Sequence, residues 1–89
     1  MELLIHYTTL PEGMELPAFE LELADVLDDS GWILASHFED GVGIVEVELE
    51  DEMLNPKHAI VAVKSYLQRA EFAPDTAIEL AGKPVGIYE

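Results

Sequence analysis

Between Val42 and Glu50 the chain alternates in a way that few structures accommodate. Val45, Val47 and Leu49 fall on one side, and Ile44, Glu46, Glu48 and Glu50 on the other. Successive side chains of a β-strand point to opposite faces. This segment is therefore a strand with one buried face and one carboxylate-rich face toward water, the situation of an antiparallel sheet covered on one side. Glu39-Asp40-Gly41 precedes it and marks a hairpin turn, so Trp32 to Phe38 reads as the partner strand.

The remaining elements follow from similar signals. Glu2 to Thr9 is rich in β-branched and aromatic residues, with Leu3, Ile5 and Tyr7 on one face and Leu4, His6 and Thr8 on the other. Pro11 and Gly13 break that strand. A helix then starts at Pro17, with Leu16, Phe19, Leu23, Val26 and Leu27 on one side and Gly31 as its stop. Asn55-Pro56 starts a second helix, whose stripe is Ala59, Ile60, Val63, Tyr66, Leu67 and Ala70. Pro74-Asp75 is a turn, Thr76 to Leu80 a strand, Ala81 to Pro84 a second turn, and Val85 to Tyr88 a short final strand.

The predicted order is β-α-β-β-α-β with a possible short fifth C-terminal strand. Right-handed crossovers fold it into a ferredoxin-like α+β domain: a four-stranded antiparallel sheet with two helices on one face. Residues 1–89 make one domain, large enough for a single modest core. The segment pattern leaves the second sheet face open, and Trp32 is expected in the core.

Charge is the outlying property. Nineteen acids against four bases give a net charge of −15. Residues 1–55 hold fifteen of the acids and no Lys or Arg, whereas residues 56–89 hold four acids and all four bases. Such a field repels nucleic acid and anionic membrane surfaces and accelerates encounter with a basic protein. An apolar content of 49% is ordinary for a globular chain, so the charge does not imply disorder. No apolar run near 18 residues and no signal-peptide pattern is present, and cysteine is absent, which together point to a cytoplasmic protein.

Catalytic and metal chemistry find no pattern. His6, His37 and His58 lack ligand spacing, although His6 and His37 could come together on neighbouring strands. The acid runs do not match a calcium loop, and Ser30, Ser36 and Ser65 lack a nucleophile context. Gly41-Val42-Gly43 is explained by the hairpin. The expectation is a protein that is not an enzyme and carries no cofactor, no metal and no catalytic residues.

The acids of the first helix are more informative. Glu20, Glu22, Asp25, Asp28 and Asp29 lie off its apolar stripe, and the last two fall in the final turn, where carboxylates oppose the helix dipole. Leu21 stands opposite Phe19 and Leu23 among these acids, as an apolar anchor inside a charged rim would.

In size, expected fold and charge, the chain resembles the small acidic inhibitors of bacteria and phages, the toxin-immunity proteins and nucleic-acid mimics of the anti-CRISPR type. The acid-only first half, Glu20-Leu21-Glu22, and the run from Glu46 to Glu52 carry the resemblance. It implies a protein that blocks a basic partner, a toxin nuclease or nucleic-acid-binding effector, by presenting carboxylates where phosphates would go. Same-face carboxylates on a strand stand about 7 Å apart, close to phosphate spacing along one nucleic-acid strand. The expected partner-binding residues are Glu20, Leu21, Glu22, Asp25, Asp28, Asp29, Glu39, Asp40, Glu46, Glu48 and Glu50. The alternative is a small ligand-sensing or accessory module that forms a homodimer through its sheet.

Overall fold

The computed structural model describes residues 2–27, 31–49, 57–80 and 82–88, with the backbone path alone at 57–59. Among the described residues, five strands and two helices follow one another as β1 (Glu2–Tyr7), α1 (Leu16–Leu27), β2 (Gly31–Glu39), β3 (Val42–Leu49), α2 (Lys57–Arg69), β4 (Ala77–Leu80) and β5 (Lys83–Gly86). The strands form one antiparallel sheet in the order β2-β3-β1-β4-β5. The four-stranded sheet with an optional tail is thus a five-stranded sheet.

One face of this sheet carries the core. Leu3, Ile5 and Tyr7 of β1 pair across with Val47, Val45 and Gly43 of β3, and Ile5 pairs with Ile78 of β4. Phe19, Leu23 and Leu27 of α1 and Val63, Tyr66 and Leu67 of α2 join the same buried cluster. Each such side chain contributes roughly 1.5–3 kcal/mol on burial. Phe19 is its aromatic centre, edge-on to Tyr7 with ring centroids 5.8 Å apart and stacked on Tyr66 at 6.3 Å.

Turn chemistry sets the connections. Asp40 and Gly41 both take positive φ, 53° and 79°, and link Glu39 directly to Val42 in a two-residue hairpin. At the end of α2, Glu71 adopts φ 64° while Phe72 N–H donates to Leu67 O, closing a left-handed cap that seats Phe72 in the core. Gly82, at φ 81°, turns β4 into β5 tightly enough that Lys83 pairs with Leu80. Lys83 and Pro84 therefore belong to β5 and not to a turn before it. Pro84 is tolerated because β5 is an edge strand.

Two further expectations are corrected. α1 is described as far as Leu27, and Gly31, expected as its stop, belongs to a strand. It opens β2 opposite Leu49, where a β-carbon would be driven into the Glu48 carbonyl. Trp32 is not a core residue. It pairs with Glu48 on the sheet face away from the helices and is 49% exposed.

Candidate functional site

β2 is the structural origin of the site. Its register against β3 shifts between Ile33 and Ala35, leaving Leu34 as a bulge. A bulge inserts one extra residue and inverts the alternation beyond it. Trp32, Ala35 and His37 consequently share the open face with Glu48, Glu46 and Ile44, while Ile33, Ser36 and Phe38 share the helix face with Val47, Val45 and Gly43. Phe38 reaches only the rim of the core. Its ring lies 6.4 Å from that of Tyr7, and 62% of it remains exposed.

Carboxylates stand on both sides of this edge. On the helix side, Ser36 Oγ donates to Glu20 Oε1 at 2.6 Å, which fixes that acid over β2. On the open side, Glu46 and Glu48 alternate along β3, and Glu46 Oε2 is 3.8 Å from His37 Nδ1. Glu39 and Asp40 cap the hairpin tip and are exposed. The open face continues with Glu2, directly opposite Glu48, and with Glu79, whose Oε1 lies 3.4 Å from His6 Nε2.

The expected binding residues do not form one patch. Glu20, Glu39, Asp40, Glu46 and Glu48 surround β2. Leu21, 71% exposed, lies on α1 with the exposed Glu22 and Asp25. Glu22 faces the other way, toward α2, and helps raise the Tyr66 pKa. Asp25 sits in the last turn of α1, which has no basic residue. Asp28, Asp29 and Glu50 lie outside the described residues, as do the Asn55-Pro56 helix start and the His58 side chain. His6 and His37 share the open face but are separated by Ile44 of β3, so they do not converge. Among the described residues no group of three His, Asp or Glu side chains is placed to hold a metal ion. Nor is any described helix long and apolar enough to cross a membrane.

Sequence reasoning missed two features. The first is the bulge, since Ile33-Leu34-Ala35 is an unbroken apolar run in which no alternation marks the extra residue. The second is an apolar cleft of about 130 Å³ between α2 and the β4–β5 hairpin, lined by Ile60, Lys64, Ile78, Leu80, Lys83 and Val85. Its two lysines are half of the chain's Lys and Arg residues, and only the third dimension brings them together. Compared with protein-family models, with curated proteins and with solved structures, the chain matches none.

Proposed function

We propose that the protein is a binding protein without enzymatic activity, which captures and blocks a basic, nucleic-acid-handling protein in the manner of toxin-immunity proteins and nucleic-acid mimics. One observation carries this reading: the edge strand β2 exposes Trp32 on its open face beside Glu46 and Glu48, Phe38 on its helix face on the side of Glu20, and Leu34 at the bulge, with Glu39 and Asp40 at the hairpin tip. Apolar anchors inside a charged rim are the anatomy of a protein interface, and the sign of the rim selects a cationic partner. The supporting scaffold is a ferredoxin-like module extended by β5; the antiparallel neighbours β2-β3-β1-β4 and the crossover helices after β1 and β3 favour that assignment. Capture of basic proteins at low salt, followed by elution with rising salt, tests the function. The captured protein should elute early from the Glu46→Gln/Glu48→Gln variant and later from the parent. Elution that ignores both salt and the substitutions contradicts it.

A second reading has its own observation. The cleft walled by Ile60, Ile78, Leu80 and Val85 and edged by Lys64 and Lys83 suits a small anionic amphiphile, as a ligand-sensing module that dimerises through its sheet would require. Sedimentation together with a melting screen against medium-chain fatty acids separates the two. A dimer whose melting temperature rises with the fatty acid favours the sensor, and a monomer with no shift favours the inhibitor.

A further inference from the structure

The two edges of the sheet are built differently. β5 is short, and it carries Lys83 and Pro84, the two residue types that most often blunt an exposed edge against strand addition. β2 is nine residues long, without Lys or Pro, and among the described residues no strand pairs with its outer side. Its bulge at Leu34 interrupts the edge but leaves Ala35–Glu39 in regular pairing with β3. Half of a strand's backbone N–H and C=O groups face away from its one neighbour, so this stretch offers an unused hydrogen-bonding ladder.

Side chains beside that ladder define the occupant. Phe38 on the helix face and Leu34 at the bulge are both more than half exposed. Glu20 is bound to Ser36, Glu46 adjoins His37, and Glu39 and Asp40 close the far end. We propose that Ala35–Glu39 is a β-augmentation site, at which an extended basic segment of the partner protein adds as a sixth strand outside β2. Backbone hydrogen bonds supply the pairing, alternate Lys or Arg side chains meet Glu46 on the open face, and the residues between them lie on the helix face beside Phe38. A second copy of this chain is a poor occupant, because pairing β2 with β2 would bring two sets of these carboxylates together. This proposal rests on the reading of a basic protein partner and specifies how that partner is held.

A peptide of alternating lysine and valine serves as probe, alongside the same peptide methylated at every backbone nitrogen and a glutamate–valine counterpart. Binding is measured at low salt, with amide hydrogen exchange read across β2. The lysine peptide should bind and slow exchange within Ala35–Glu39. The methylated peptide keeps the charge but loses the strand hydrogen bonds, so it should bind at least about tenfold more weakly. The glutamate peptide should not bind. Equal binding of the methylated peptide, or no protection in Ala35–Glu39, overturns strand addition while leaving capture by charge intact. Binding of the glutamate peptide as tight as that of the lysine peptide, or no binding by either cationic peptide, overturns the basic partner as well.

Discussion

Trp32 and Phe38 stand on opposite faces of β2, although they lie six positions apart, an offset that would put them on the same face of a regular strand. The bulge at Leu34 is the cause. It turns Trp32 to the open face beside Glu48 and Phe38 toward Tyr7. Trp32→Ala should accordingly change stability by less than about 1 kcal/mol, as surface substitutions do. Leu23→Ala in the core should cost about 2–5 kcal/mol. Urea unfolding compares the two. In the unsubstituted protein, Trp32 emission should be that of a solvated indole and should shift to the blue when a basic partner docks.

Gly43 lies beneath the ring of Tyr7, where an added β-carbon would be driven into the ring atoms. Tyr7 is buried and packed edge-on against both Phe19 and Phe72, so it has little room to withdraw. Gly43→Ala should destabilise by about 1–3 kcal/mol through overpacking. A denaturation midpoint unchanged from that of the parent would show that the ring moves freely.

Glu71 holds φ 64° at the C-terminal cap of α2. A left-handed conformation costs a non-glycine residue about 1 kcal/mol, which glycine avoids. Glu71→Gly should therefore raise stability by about that amount, measured as a higher melting temperature, with no change in peptide binding.

Tyr66 is buried, and its hydroxyl has no hydrogen-bond partner among the described residues. Burial, and secondarily the nearby Glu22 carboxylate, push its pKa from 10.0 up to about 12. Folding thus favours the protonated phenol. The associated stability is fully present below pH 10.0 and is lost as pH rises toward about 12. Burial, followed by Glu20, raises Tyr7 in the same direction. Urea unfolding across this alkaline range should show falling stability, with a shallower fall in Tyr66→Phe. An identical slope in the variant would remove Tyr66 as a cause.

Much of the fold was legible because the local signals agree with one another. The Val45–Leu49 alternation, the Asp40-Gly41 turn and the stripes through Phe19 and Val63 each have a local cause, and each lies where it was expected. Misreadings occurred where the third dimension decides. A bulge inside an apolar run cannot be seen without the partner strand, and Pro84 reads as a turn residue until β5 is known to be an edge. The acids of α1 and β3 are both expected to meet the partner, but the helix covers one side of the sheet and Glu46 and Glu48 lie on the other. What brings Glu20 near them is the edge strand between, through its hydrogen bond to Ser36.

Salt-dependent affinity for the lysine–valine peptide is the most direct measurement, made on the parent, on Glu46→Gln/Glu48→Gln and on Glu12→Gln/Glu15→Gln. Both double variants lose the same charge, but only the first removes carboxylates paired across from β2 in the sheet. The expected result is binding that weakens steeply with salt, with a shallower dependence in the β3 variant alone. A flat dependence in the parent, or equal effects of the two variants, would contradict recognition of a basic partner at this edge.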